Sequence, residues 1–422
     1  MSDNSGRVFI IDHMCVLPYG HNLNALVLFE KALQGSFSQS FALASRHLPD
    51  EAEQSAQVLR ELKYPYRGLI PVPVREPVSG KTAASSSKVL GQIATLAWRA
   101  MYTGCNVVFG YDYMRASLKR DWKKVFRRHR IGKGDCLFFP SSEFYGCVSL
   151  LDFLCELPES ARPSAHFRLI GVMESASYEL ESGRPRFFRE LRRATEAGIN
   201  LSLSAETPAY CEFVERITGL KVEFLPYPLA NAQSEVTWGE NKVVSSPGQG
   251  RADKGFMRLQ GIVKRVQERV GTSAFRFDVQ DMRKGDRHFR KRYRSILSYT
   301  PNLRLRPARL KQVEIDQMYR EADIFLLPYD SSTYSYRGSA VFQEGIAVGR
   351  PVVCGHGLGF STLVEKYGNG LLASTDVEFA ECIIEMASWG RDEVSQRMVD
   401  ARMMYEKDFS DGLRAVVASI TR

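Results

Sequence analysis

Glu344 sits about one and a half turns into a segment that reads as a helix opening on small residues, Gly338-Ser339-Ala340. Amides at the start of such a helix lack intrahelical acceptors and lie at the positive end of its dipole, so they form an anion site. A carboxylate that deep is past the capping positions, but it can accept two hydroxyl hydrogen bonds from a ribose. The helix runs from about Ser339 to Val348, Gly349 stops it, and Pro351 opens the following strand. A second loop, Ser246 to Phe256, is rich in glycine and carries two cations, Arg251 and Lys254. An arginine forks two phosphate oxygens, whereas a lysine acts on them as a point charge.

Further candidates are scattered through the first half. Pro18-Tyr19-Gly20-His21-Asn22 follows the first strand. Glu143 follows Phe138-Phe139-Pro140, and Glu174 follows Ile170-Gly171-Val172. Either carboxylate can bind acceptor hydroxyls or act as a general base, and either can equally be an ordinary polar loop residue. Residues 118–130 spell an amphipathic helix. Leu118, Trp122, Val125 and Phe126 form its apolar face, and Lys119, Lys123, Lys124, Arg127, Arg128 and Arg130 form its basic one. Such a helix can lie on an anionic membrane surface, or its apolar face can meet the core and leave the charges solvated. Arg287 to Arg294 is a second basic run with aromatics, more in keeping with a surface helix than with a nucleic-acid site.

The elements that must position these residues are strands alternating with helices. Arg7–Asp12 reads as a buried strand, followed by a glycine loop and a helix from about Asn22 to Leu33. Further strands are expected at 105–110, 135–140, 167–172, 199–204 and 221–225. Pro226-Tyr227-Pro228 reads as a linker. A second series then places strands at 242–246, 275–279, 303–305, 324–327 and 351–354, with a helical stretch from about Asp376 to Ile420. Continuous apolar strands separated by helices imply parallel sheets covered on both faces. The expected fold class is therefore α/β, two Rossmann-like domains facing a cleft. Residues 1–228 form the acceptor-side domain, 229–400 the nucleotide-binding domain, and 401–422 a helix packing back on the first domain. The span from Leu69 to Lys88 reads as a loop from its Pro, Gly and Ser content.

The 422 residues are too many for one ordinary core, which agrees with two domains. No apolar run reaches the roughly 18 residues that a membrane helix needs, and the first residues lack an apolar signal core, so a cytoplasmic protein is expected. Eight cysteines show neither C-x-x-C nor zinc-site spacing and read as buried free thiols. The net charge of +9 fits an anionic partner without choosing among sugar nucleotide, nucleic acid and acidic membrane. Asp278 and Asp281 are spaced wrongly for an Asp-x-Asp metal motif, and no metal is expected.

The block from Tyr319 to Val353 resembles the donor-site signature of retaining GT-B glycosyltransferases of group 1. In that family two glutamates are separated by seven residues, and the second binds the nucleotide ribose. Glu344 matches the second; Tyr336 stands where the first would be. The resemblance implies that the helix-start amides around Tyr336, Arg337, Gly338, Ser339 and Ala340 hold the donor diphosphate. It also implies that Arg251 and Lys254 neutralise the leaving group in place of a metal, and that Gly20 and His21 line the donor phosphates and sugar. Family members often carry His-Asp where this chain has Glu174-Ser175. The implied activity is transfer of a hexose from a nucleoside-diphosphate sugar to a carbohydrate or lipid-linked acceptor, with retention and with no cofactor beyond the donor. An anionic membrane surface reached through helix 118–130 is a further expected partner, and nucleic acid is not expected. Two other readings stay open at this stage, a sugar-nucleotide 2-epimerase of the same fold and a nucleic-acid-binding protein reusing it.

Overall fold

The computed structural model describes residues 6–17, 20–49, 58–64, 112–170, 186–229, 238, 241–282, 297 and 300–421. The chain divides into two compact units. The first comprises Met1–Ala205, Val214–Glu223 and Leu413–Arg422; the second comprises Glu206–Phe213 and Phe224–Gly412.

The first unit holds strands β1 (Arg7–Asp12), β2 (Gln39–Ser45), β3 (Val58–Leu62), β4 (Cys136–Phe139), β5 (Ser164–Leu169), β6 (Leu201–Ala205) and β7 (Val222–Phe224). They form one sheet in the order β3-β2-β1-β4-β5-β6-β7, and the registers from β3 through β6 are parallel. Helices α1 (His21–Leu33), α2 (Tyr113–His129), α3 (Phe144–Glu156) and α4 (Arg186–Glu196) lie between strands in the chain, and α5 (Pro208–Thr218) follows β6. The central strands β1, β4 and β5 are buried almost throughout, as a sheet covered on both faces requires.

The second unit repeats the plan. Its strands are β8 (Lys242–Ser246), β9 (Phe275–Gln280), β10 (Leu303–Arg306), β11 (Ile324–Leu327), β12 (Val352–Gly355) and β13 (Gly370–Ala373), in the order β10-β9-β8-β11-β12-β13, all parallel. Its helices are α6 (Leu259–Val270), α7 (Gln312–Glu321), the short α8 (Ser331–Tyr334), α9 (Ala340–Val348), α10 (Ser361–Tyr367), α11 (Asp376–Ala387) and α12 (Arg391–Ile420). Two apolar clusters cover its sheet. Ile262, Phe277, Leu326 and Ile383 belong to one, and Phe325, Phe342, Val364 and Tyr405 to the other.

Both sheets carry the doubly wound strand order, so each has a point where successive connections run to opposite sides. In the first sheet it lies between β1 and β4, and in the second between β8 and β11. Loops leaving the carboxyl ends of those strands splay apart and open a crevice for ligands.

Several elements differ from the sequence-based expectation. The strand expected at 167–172 is β5, three residues earlier, because buried polar groups hide its start. His166 is fully buried between the hydroxyls of Ser202 (3.0 Å) and Ser204 (2.9 Å), and Arg168 donates to the Pro140 carbonyl at 3.0 Å. The helical stretch from Asp376 is two helices, broken at Ser388–Gly390. The seven described cysteines are free. The strand expected at 105–110, the loop 69–88, the basic run 287–294 and Glu174 lie outside the described residues. No helix among the described residues is long and apolar enough to cross a membrane.

Candidate functional site

The second unit gathers most of the expected site at its switch point. Strands β8 and β11 are neighbours, with Val244 beside Ile324 and Ser245 beside Phe325. The loop after β8 turns through Gly248 at φ 87° and Gly255 at φ 69°. A side chain at Gly255 would strike the Pro328 carbonyl oxygen at 1.9 Å, so the two loops can approach this closely only because glycine is there. The Asp330 amide donates to the Asp253 carbonyl at 3.0 Å and ties the loops together.

The two cations of this loop have different surroundings. Arg251 is exposed and forks Asp253 with Nε at 3.0 Å and Nη2 at 2.6 Å, and Nη2 also donates to the Tyr334 hydroxyl at 2.7 Å. Two of its three nitrogens are thus engaged within the protein. Lys254 is half-buried, with its ammonium 5.4 Å from the centre of the Tyr329 ring. Burial draws its pKa down, while Tyr334, Asp253 and Glu344 hold it up and the charge of Arg251 lowers it.

Helix α9 begins at Ser339, whose hydroxyl accepts from the Phe342 amide at 3.3 Å and whose carbonyl accepts from the Gln343 amide. The amides of Ala340 and Val341 precede the first intrahelical bond and point out of the helix start. Gly338 differs from the expectation. Its N–H donates to Glu206 Oε1 at 2.9 Å, so it is already satisfied by a carboxylate rather than open to an anion. Tyr336 is equally committed. Its ring stacks on Phe213 with centroids 4.3 Å apart, and its carbonyl accepts from the Thr207 hydroxyl at 2.7 Å. Arg337 lies half-buried between them.

Glu344 is one helical turn beyond Ala340, and both are exposed, so the carboxylate and the helix start share one face. The Tyr319 hydroxyl donates to Glu344 Oε2. By surface area Glu344 is open to solvent, although protein crowds its carboxylate. That desolvation raises its pKa, against the lowering pull of the Tyr319 hydroxyl and the Lys254 charge.

In the first unit, Gly20 caps α1 at φ 93° with open space around it, and His21 is the exposed first residue of that helix. Glu143 is not a free acceptor-side carboxylate. It is the buried N-cap of α3 and accepts from the amides of Gly146 and of Tyr145 (2.9 Å). Burial pushes its pKa up to about 8, helped by the charge of Asp12 and opposed by the two amides. Asp12, at the end of β1, went unnoticed in the sequence. It is buried, accepts from the Met14 amide (2.7 Å) and from the Asn22 side-chain amide (2.8 Å), and burial pushes its pKa up to about 7. Beside it, His13 bonds the Lys63 carbonyl through Nδ1 (3.0 Å), while its buried Nε2 has no hydrogen-bond partner among the described residues. A strand ending in Asp-His was the available signal for this pair. Glu206, which follows β6, had no such signal.

The comparisons bear on this geometry. Residues 250–388 match the family model described as glycosyl transferases group 1. That stretch is similar to a group 1 glycosyl transferase domain. It contains Arg251, Lys254 and the whole of α9. Among solved structures, the chain is similar to a glycosyltransferase from Rickettsia africae ESF-5 at 10% identity and a TM-score of 0.61, covering 99% of both chains. It is also similar to a sucrose-phosphate synthase from Thermosynechococcus elongatus at 10% identity and TM-score 0.58, covering 98% of this chain and 97% of that one. An α,α-trehalose 6-phosphate synthase from Burkholderia multivorans matches at 13% identity and TM-score 0.55, covering 99% and 97%. At these identities the likeness is one of fold, and the fold is GT-B. A search of curated proteins finds no match. Outside residues 250–388 the likeness is one of fold.

Proposed function

We propose that the protein transfers a hexose from a nucleoside-diphosphate sugar to a carbohydrate or glycolipid acceptor, with retention of configuration and without a metal. The observation that carries this reading is the shared face of α9, where the open amides of Ala340 and Val341 precede the exposed carboxylate of Glu344 by one turn. A diphosphate at the helix start and a ribose at Glu344 satisfy that face together. Lys254 and Arg251, in the adjoining loop, supply positive charge where the leaving diphosphate gains negative charge. This is the point at which electrostatic stabilisation lowers a barrier. In a retaining reaction of this kind the leaving diphosphate oxygen assists attack on the same face of the sugar, so no side-chain nucleophile is required. The first unit is the acceptor unit in this reading.

Attraction of the protein to an anionic membrane surface belongs to the same proposal and is purely electrostatic. Leu118, Trp122, Val125 and Phe126 of α2 are buried in the core, so that helix has no apolar face to insert. Lys123, Lys124, Arg127 and Arg128 remain exposed. Neither the epimerase nor the nucleic-acid reading gains a specific observation.

Calorimetry with a panel of nucleoside diphosphates tests the donor assignment. One of them should bind, and Glu344→Ala should weaken it at least tenfold in a folded protein. Equal affinity in the variant would remove Glu344 from the site.

A further inference from the structure

A pocket of about 500 Å³ opens in the first unit where β2 and β3 end. Arg46 and His47 follow β2, Lys63 and Tyr64 follow β3, and one side of α2 closes it with Ser117, Arg120, Asp121 and Lys124. Four cationic side chains therefore face a single carboxylate. Asp121 is buried and already spent, because it accepts from Arg46 Nη2 at 2.6 Å and from the Lys63 amide at 2.8 Å. The Lys63 ammonium donates to the Ser117 hydroxyl.

Arg120 and Lys124 are different. Among the described residues neither forms an ion pair. Lys124 has no hydrogen-bond partner, and Arg120 reaches only the Ala116 carbonyl of its own helix, at 3.4 Å. Elsewhere on α2 most cations find carboxylates. Lys119 and Lys123 meet Glu156, and Arg128 meets Glu61 at 3.2 Å. Of the three cations of the helix that form no ion pair among the described residues, Arg120 and Lys124 thus face one concavity, and Arg127 lies outside it. Arg120 and Lys124 are one turn apart and project together, giving a forked donor and a point charge at one place. The volume exceeds what a bare inorganic ion fills and suits a small organic molecule. Tyr64 and Tyr113 in the lining add ring surface for a non-ionic part. The pocket also lies at the carboxyl end of the sheet, next to the loop after β1, since His13 bonds the Lys63 carbonyl.

We propose that this pocket, through Arg120 and Lys124, binds a phosphate group carried by the acceptor. The assignment to the acceptor rests on the transferase reading above; the binding of phosphate does not. A soluble phosphorylated sugar and a phospholipid headgroup present the same chemistry, and the test separates them.

The full chain is titrated calorimetrically with hexose 6-phosphate at low salt. In parallel it is sedimented with vesicles of phosphatidylglycerol in phosphatidylcholine, with pure phosphatidylcholine as control. The double variant Arg120→Gln/Lys124→Gln is compared with Lys31→Gln/Arg192→Gln, which removes the same charge from exposed positions of the first unit outside the pocket. Wild type and the second variant should bind in one of the two arms, and the pocket variant should lose at least tenfold in that arm. Binding of the hexose phosphate identifies a soluble acceptor, and pelleting with phosphatidylglycerol alone identifies a lipid one. Equal losses in both variants would reduce the effect to diffuse charge and overturn the proposal, as would unchanged binding in the pocket variant or no binding in either arm. Nucleoside diphosphate affinity is measured throughout. If it is absent in wild type, the donor reading fails while the phosphate result stands.

Discussion

The Tyr319 hydroxyl donates to Glu344 Oε2 and so fixes one oxygen of that carboxylate while leaving the other open. Tyr319 is itself buried against Phe325, with ring centroids 5.2 Å apart, so the hydroxyl is held in place by the core of the second unit. Removing the hydroxyl should free the carboxylate without removing it. Tyr319→Phe is expected to weaken nucleoside diphosphate binding severalfold. Glu344→Ala, which loses a charged hydrogen-bond partner of about 1.5–3 kcal/mol, should weaken it tenfold or more. Calorimetry on both variants gives the order; a Tyr319→Phe effect as large as that of Glu344→Ala would contradict a merely orienting tyrosine.

Lys254 should matter more to turnover than to donor binding, because the charge it faces grows as the diphosphate leaves. Lys254→Ala is expected to lower kcat by about a hundredfold, the scale seen when one stabilising donor is removed. Donor affinity, measured separately by calorimetry, should fall much less. Turnover should also survive EDTA. Loss of rate in the chelator, restored by manganese or magnesium, would refute the metal-free reading.

A Cβ at Gly338 would lie 2.8 Å from the Glu206 carboxyl carbon, so the end of that side chain would have to shift. Gly338→Ala is expected to cost about 1 kcal/mol, the low end of overpacking, because the Glu206 side chain can move. Shortening the obstructing side chain should recover part of that, so Gly338→Ala/Glu206→Ala should be less destabilised than the two single losses added together. Chemical denaturation of the four proteins closes the cycle. Simple additivity would mean that the glycine serves something other than this close approach.

Asp12 and Glu143 make the first unit sensitive to pH. Burial raises both carboxyl groups, to about 7 and about 8, from ordinary values near 4. The folded state therefore holds protons that the unfolded chain gives up, and this contribution is fully present below about pH 4 and is lost as pH rises towards 7 and 8. Thermal unfolding at constant ionic strength should accordingly show a falling Tm contribution between pH 5 and 8. Asp12→Asn should flatten the slope over the lower part of that window. An unchanged slope would show that Asp12 is not protonated in the fold.

Much of the second unit's candidate site was legible because its signals are local. Glu344, the small residues before it and Gly349 at its end all lie on one short helix, and Arg251 and Lys254 lie in one loop. Apolar runs located β1, β8 and β11 without ambiguity. What escaped depends on contacts between distant segments. Tyr336 and Gly338 looked available, and only the fold brings Phe213, Thr207 and Glu206 against them. Glu143 looked like a loop acid, and whether it caps α3 was settled by its backbone angles and its burial. Strands β2 and β3 went unread because their exposed or half-exposed positions, such as Gln39 and Arg60, interrupt the apolar pattern. The pocket between β2, β3 and α2 joins residues 46 and 63 to 120 and 124, a juxtaposition invisible along the chain.

The division of the chain has a consequence for how it is made. The first unit draws on three separate stretches, and the last of them, Leu413–Arg422, follows the whole of the second unit's longer stretch, Phe224–Gly412. At ordinary rates of synthesis, on the order of ten to forty seconds separate Glu223 from Leu413 leaving the ribosome. During that interval the first unit waits without its last stretch, and the second is completed only at its end, with Gly412. A chain ending at Gly412 should therefore hold a complete second unit, and limited proteolysis should show the first unit gaining protection when Leu413–Arg422 is added.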